Sequence, residues 1–397
     1  MSNKKIILLS LALLLITAGY WLFFKDAPQS GDIHSAITSL PLSSTQTATI
    51  SSTPTAADSV MGGSVRLAWF YKPPENESIS VLAENFDFFI LTHRDEEERD
   101  ELRTLGVETT IYQYLDFVQI MDPGSCTKRP YGNQVAYQIG DFCKILKEHP
   151  SWFLRDEQGE LIRHDSNVYM DAGNSEYRQF WLERTKQMQM EFGWEGVFID
   201  NVEASLNKLL RVGAQPANYK NDSEYQAAIE GFLQYLHVQY FKPQEVPVMA
   251  NIIEWNNQDV WFRYMQYLDG VMIESFSLDY NNDYLLVDEW EEDINLAVKT
   301  QALGKTVILV AQGNEEDQAR EEFALGSYLL ANDGLAYFRY TNSESYGLVW
   351  LYDNYSIELG LPLGPAYQTG NMWKRDFEQG SVIINPLTYS TEFIFDK

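Results

Sequence analysis

From Val65 onward the chain alternates two patterns. Short continuous apolar runs, typical of strands buried on both faces, are separated by stretches whose apolar residues return every three or four positions, as in amphipathic helices. The runs predict strands at Val65–Tyr71, Phe86–Thr92, Thr109–Phe117, Gly196–Ile199, Pro247–Ile252, a sixth from Gly270, then Lys305–Gln312 and Leu335–Tyr340. Helical stretches fall between them: Asp95–Leu105 closed by Gly106, one around Ile139–Leu146, Ser175–Phe192, Asp222 to Phe241, Asp259–Leu268, Asp288–Leu303 closed by Gly304, and Glu315–Ala331. Eight strands alternating with helices over about 275 residues predict an α/β fold, the (β/α)8 TIM barrel. An open doubly wound sheet would be expected to carry a glycine-rich phosphate loop after strand one, where this chain reads Tyr71-Lys72-Pro73-Pro74. Trp152 to His164 predicts a β-hairpin on the rim with Gln158-Gly159 in its turn.

The two ends differ from this body. Lys4 and Lys5 precede an apolar run from Ile6 to Phe24, long enough for a bilayer-spanning helix, so residues 1–25 are expected to be an uncleaved signal anchor with its basic end in the cytoplasm. Residues 26–63, rich in Ser, Thr, Ala and Pro, are expected to form a disordered tether. The barrel is assigned to 64–345 and a C-terminal helix and short β extension packed on it to 346–397. On this reading the barrel stands outside the cell membrane, or is secreted if the first segment is cleaved.

Charge narrows the partners. With 57 Asp+Glu against 29 Lys+Arg the net charge is −28, which argues against nucleic acid and suits a neutral or cationic substrate. Cys126 and Cys143 are the only cysteines, able to pair outside the cytoplasm or to stay free. His34, His93, His149, His164 and His237 are scattered without metal-ligand spacing, and there is neither a G-x-S-x-G elbow nor a phosphate loop; no metal and no cofactor are expected.

The candidate chemistry lies where apolar strands meet acids. Trp194 to Glu203 reads W-E-G-V-F-I-D-N-V-E, and Asp269 to Ser275 reads D-G-V-M-I-E-S, so Gly196 to Asp200 and Gly270 to Glu274 share one spacing. Strands four and six lie one strand apart in a barrel, and alternate strands feed the same side-chain layer, so Asp200 and Glu274 are expected to face each other at the carboxyl ends of the strands. A strand-terminal acid alone is as readily a helix cap or an Arg partner; its recurrence at equal height favours a working pair. Two carboxyl groups flanking a bond are the equipment of glycoside hydrolysis. Further candidates for substrate contact are Asp171, Asn201, Asn251, Glu254, Trp255, Tyr71, Tyr114, Asp116 and Arg339, with Tyr112, Tyr114 and Asp116 sharing one strand face. Asp171 equally suits a cap of the helix that starts nearby, and each aromatic equally suits core packing.

The segments Y-M-D-A-G-N, W-E-G-V-F-I-D-N-V, D-G-V-M-I-E-S-F and W-K-R-D-F-E-Q-G-S-V-I-I-N-P together resemble glycoside hydrolases of hypothetical family 15, relatives of the endo-α-1,4-polygalactosaminidases, over roughly residues 65 to 387. The resemblance implies a TIM-barrel hydrolase whose catalytic pair is an Asp after strand four and a Glu after strand six, here Asp200 and Glu274; of these, Asp200 is expected to be the nucleophile and Glu274 the general acid/base of a retaining cleavage. The expected substrate is an extracellular polysaccharide, with an amino-sugar polymer suited to the acidic surface. The alternative is a glycan-binding or scaffold barrel that keeps the fold without turnover.

Overall fold

The computed structural model describes residues 64–253, 257–280 and 283–396. The expected anchor and tether lie outside the described residues; among those described, no helix is long and apolar enough to cross a membrane. Eight parallel strands follow one another in chain order in a single sheet: β1 (Ala68–Phe70), β2 (Phe88–Leu91), β3 (Ile111–Asp116), β4 (Gly196–Glu203), β5 (Val248–Ile253), β6 (Gly270–Ile273), β7 (Thr306–Gln312) and β8 (Ala336–Thr341). Leu67 pairs in parallel with Phe338, and the Phe338 amide donates to the Arg66 carbonyl at 2.7 Å, which brings the last strand to the first and makes the sheet a TIM barrel.

Strand parity sorts the side chains into two cores. Ala68, Phe70, Phe88, Ile90, Tyr112, Phe198, Met249, Met272, Ile308, Val310 and Tyr337 fill the barrel interior as one cluster. Residues of opposite parity, among them Trp69, Phe89, Leu115, Val197, Ile273 and Leu309, face the helices in a larger one. Each such burial is worth about 1.5–3 kcal/mol, so the alternation fixes which face of every strand looks inward. It also explains the repeated spacing: Gly196 and Gly270 sit at inward positions at the narrow bottom, and the acids four residues on are inward at the top. A Cβ on Gly196 would lie 2.8 Å from the Tyr112 ring, and one on Gly270 would lie 2.6 Å from Met249 Cε and 2.7 Å from the Thr306 carbonyl.

Several expectations are corrected. β4 does not end before Asp200 but runs on to Glu203, its register against β5 slipping between Ile199 and Val202 around Asn201, whose φ is 60°. This is a β-bulge, the device that re-aims side chains at a barrel rim. Strand one is only Ala68–Phe70, and an unforeseen helix, Ile79–Asn85, follows it. The helix from Asp222 changes at Leu236 into a π-helical turn, His237–Phe241. In place of a C-terminal helix there is one 3₁₀ turn, Asp353–Ser356, and the extension is a four-stranded antiparallel sheet of Tyr367–Thr369, Met372–Phe377, Gly380–Asn385 and Ser390–Phe395 on the helix Gln318–Ala331.

The rim hairpin is present as the Arg155–Leu161 bridge with Gly159 at φ 85°, and beside it Gln119–Met121, Asn167–Tyr169 and Arg163–His164 form a three-stranded sheet. Cys126 and Cys143 are joined as a disulfide, with Cα atoms 5.7 Å apart. The helix Ser175–Phe192, which delivers β4, starts at Asn174, whose side chain accepts from the Glu176 and Tyr177 amides, and stops at Gly193 in the left-handed region.

Candidate active site

Asp116 and Asp200 are direct neighbours in the pairing of β3 with β4, and Asn251 is on β5, between β4 and β6. Its Nδ2 donates to Asp200 Oδ1 at 3.1 Å and to Glu274 Oε2 at 2.9 Å. A single amide nitrogen thus bridges the two acids. Each acid takes a phenol on its other oxygen: Tyr114 donates to Asp200 Oδ2 at 2.5 Å and Tyr346 to Glu274 Oε1 at 2.7 Å. The Tyr280 hydroxyl also bonds to Glu274. Burial, followed by the negative charges of Glu274 and Asp200, holds the Tyr71 phenol protonated; burial and Asp200 do so for Tyr114, and burial and Glu274 for Tyr346 and Tyr280. They are therefore donors at any ordinary pH. Tyr71 stacks on Tyr114 with centroids 4.7 Å apart and meets Tyr346 edge-on at 5.2 Å.

Beneath Asp200 lies a polar layer built by the bulge. Asn201 donates its main-chain amide to Asp200 Oδ1 at 2.8 Å and its side-chain amide to Asp116 Oδ2 at 3.1 Å and Asp200 Oδ2 at 3.4 Å. Lys208 donates to Asn201 Oδ1, which fixes the amide so that its NH₂ faces both acids. Asp116, 2% exposed, also accepts from the Gln119 amide at 3.1 Å. Burial, and after it the charge of Asp200, raises its carboxyl well above the ordinary range. Glu274 is raised by the same two causes in the same order, against the donors Tyr346, Asn251 and Tyr280. Gln312 donates to the Glu274 carbonyl at 2.7 Å and so fixes the main chain under it.

Asp200, Glu274, Asn251, Asn201, Tyr114, Asp116 and Tyr71 are therefore brought together, while other candidates are not. Glu254 and Trp255 lie outside the described residues. Asp171 accepts from the Gly173 amide at 2.9 Å, Asn218 at 2.8 Å and the Tyr219 hydroxyl; it staples two rim loops, and the helix cap is Asn174. Arg339 is buried over Trp69 at 4.1 Å and donates to the carbonyls of Tyr346 and Phe70. Burial pulls its guanidinium down to about 9. It anchors the segment that carries Tyr346 and takes no part in the acid pair. Tyr346, Tyr280, Lys208 and Gln312 are site members that pattern reading missed. Gln312 alone had a usable sign, as a polar residue of inward parity at a strand end.

Among the described residues no group of His, Cys, Asp and Glu could hold a metal ion. The profile of hypothetical glycosyl hydrolase family 15 matches residues 107–381. No curated protein sequence matches the chain. Among solved structures, the glycoside hydrolase domain of PelA from Pseudomonas aeruginosa is similar over 72% of this chain and 97% of its own, at 15% identity and a TM-score of 0.49. The noncanonic maltogenic α-amylase AmyB from Thermotoga neapolitana is similar over 81% and 86%, at 12% identity and a TM-score of 0.44. Eubacterium rectale Amy13B is similar over 82% and 87%, at 10% identity and a TM-score of 0.46.

Proposed function

Because the chain belongs to hypothetical glycosyl hydrolase family 15, and is by that family a glycoside hydrolase, we propose that Asp200 and Glu274 cleave the glycosidic bond with retention of configuration. The observation that carries this is the Asn251 bridge. A nitrogen 3.1 Å from one acid and 2.9 Å from the other keeps those two oxygens within about 6 Å, close to the 5–5.5 Å carboxyl spacing of retaining enzymes and short of the roughly 6.5–9.5 Å that leaves room for an inverting water.

Glu274, kept protonated further up the pH scale by burial and by Asp200, gives its proton to the leaving glycosidic oxygen. Asp200 attacks the anomeric carbon as that bond breaks, forming a glycosyl ester. Glu274, now a carboxylate, takes a proton from the water that cleaves the ester, and both acids return to their starting states. Asn251 donates to both throughout and limits the repulsion that arises once Glu274 is ionised.

The substrate is an extracellular polysaccharide, met by a barrel held outside the membrane by the apolar segment at 6–24. The Cys126–Cys143 disulfide supports an oxidising location. The Asp200 carboxylate and the net charge of −28 suit a ring that carries an ammonium group, as in an amino-sugar polymer. The test is turnover and product stereochemistry on a panel of polysaccharides and aryl glycosides. Asp200→Asn and Glu274→Gln should each lower turnover on glycosides with poor leaving groups by at least about a thousandfold without loss of fold, and the first-formed anomer should be the retained one. Full activity of Asp200→Asn, or an inverted first product, would overturn the assignment.

A further inference from the structure

A second pocket opens where the chain leaves β2. It is a cavity of about 760 Å³ with His93, Arg94, Arg129, Tyr137 and Phe192 among its walls, and with the Glu96 carboxylate in its lining, turned to the His93 ring. We propose that it is a subsite for an acidic group of the polysaccharide, a carboxylate or a sulfate ester, held by Arg94 and Arg129; the inference deepens, and rests on, the reading of the barrel as a polysaccharide hydrolase.

Position is the first argument. His93 and Arg94 follow the carboxyl end of β2, on the face where the acids converge. The opposite wall belongs to the loop closed by Cys126 and Cys143, and this loop also reaches the active site: the Asn133 carbonyl accepts from the Asp116 amide at 2.8 Å, and the Asn133 side chain bonds to Tyr114, the donor to Asp200. The loop that walls the pocket is therefore also the one that braces Asp116 and Tyr114.

The pocket is also firmly built. The disulfide restrains the loop, and Gly132 is pressed so closely on Thr92 and His93 that a Cβ there would lie 2.5 Å from Thr92 Oγ1 and 2.6 Å from the His93 carbonyl. The His93 ring stacks on Phe192 at 4.2 Å, meets Tyr137 edge-on at 4.9 Å, and is tied to Glu96 at 2.8 Å.

Charge supplies the rest. Neither Arg94 nor Arg129, both exposed, joins an ion pair among the described residues. Asp95, next to Arg94, is turned to the Thr92 amide at 2.8 Å and the Thr92 hydroxyl at 2.5 Å. The two guanidiniums repel: burial first, and then Arg129, pulls Arg94 below its ordinary value, against the attraction of Asp95. A bound anion would relieve that repulsion, and the planar fork of Arg matches carboxylate and sulfate oxygens in pairs. The acidic group taken here and the ring held over Asp200 belong to different residues of one polymer.

The experiment is calorimetric binding to the full-length Glu274→Gln protein, so that turnover plays no part. The probes are a galacturonate hexasaccharide, its methyl ester, and a sulfated hexasaccharide of neutral glucose. An acidic probe should bind with an affinity that falls with salt, the ester should bind at least roughly tenfold more weakly, and Arg94→Gln and Arg129→Gln should each cost about tenfold while leaving the melting temperature unchanged. Whichever acidic probe binds identifies carboxylate or sulfate as the recognised group. Equal binding of ester and acid, undiminished binding in the Arg94→Gln/Arg129→Gln protein, or no binding of either acidic probe would overturn the proposal. The catalytic reading fails separately, through a fully active Asp200→Asn protein.

Discussion

At the residue scale, the site is two carboxyl groups made unequal by their surroundings. Asn251 carries the geometry because, among the described residues, it is the one donor common to both. Removing it in Asn251→Ala should lower kcat by about 10²–10³, the cost typical of losing a preorganised donor, with a much smaller change in KM. Tyr346 tests the electrostatics separately. Its hydroxyl favours the ionised form of Glu274, so Tyr346→Phe removes a force that lowers that carboxyl. The alkaline limb of the kcat/KM profile reports loss of the acid's proton and should therefore move to higher pH in Tyr346→Phe, with the melting temperature little changed. A limb that stays in place or moves to lower pH would mean that Glu274 is not the acid that governs it.

At the scale of elements, the repeat that marked Asp200 and Glu274 is a packing rule as much as a chemical one. Gly270 is required where β6 meets Met249 and the Thr306 main chain, so Gly270→Ala should destabilise the fold by about 1–3 kcal/mol, read as a lower urea midpoint with an unchanged slope. What was legible in the sequence follows from the short apolar runs and the polar residues that end them: the eight strands, and hence Asp116, Asp200, Asn251 and Glu274 at their carboxyl ends. What was not legible depends on approach from far along the chain. Tyr346 reaches Glu274 from 72 positions away, and Lys208 reaches Asn201 only because the bulge turns that side chain, neither of which local pattern records. Arg339 shows the converse. A charged residue at a strand end looks functional in sequence, whereas in the fold main-chain carbonyls and the Trp69 ring satisfy it. The helix Ile79–Asn85 escaped notice because it buries only Ile79 and Leu82, too few positions to establish a period.

At the scale of the whole molecule, barrel, C-terminal sheet and the segment bearing Tyr346 meet around the helix Gln318–Ala331, and a buried acid sits at that junction. Glu321 is 0% exposed and accepts from Asn354 at 2.7 Å, and burial pushes its carboxyl up to about 7. A carboxyl whose folded value lies above its ordinary 4.5 binds its proton more tightly in the folded state; its contribution to stability is full below about pH 4.5 and is lost as the pH rises to about 7. At about 1.4 kcal/mol per unit the rise corresponds to roughly 3 kcal/mol. Asp116 and Asp293, also raised by burial, act in the same direction, and the repulsion within a net charge of −28 adds to the loss at high pH. Salt separates these contributions, because it screens the surface charges and leaves a fully buried carboxyl nearly untouched. Denaturant unfolding in high salt at about pH 5 and about pH 8 should therefore still show the wild type losing stability, and Glu321→Gln, which keeps an acceptor for Asn354 but cannot ionise, should lose about 2.5 kcal/mol less between the two. If the two proteins lose the same amount, the junction is not held by a protonated Glu321, and the pH dependence belongs to the acids under the active site.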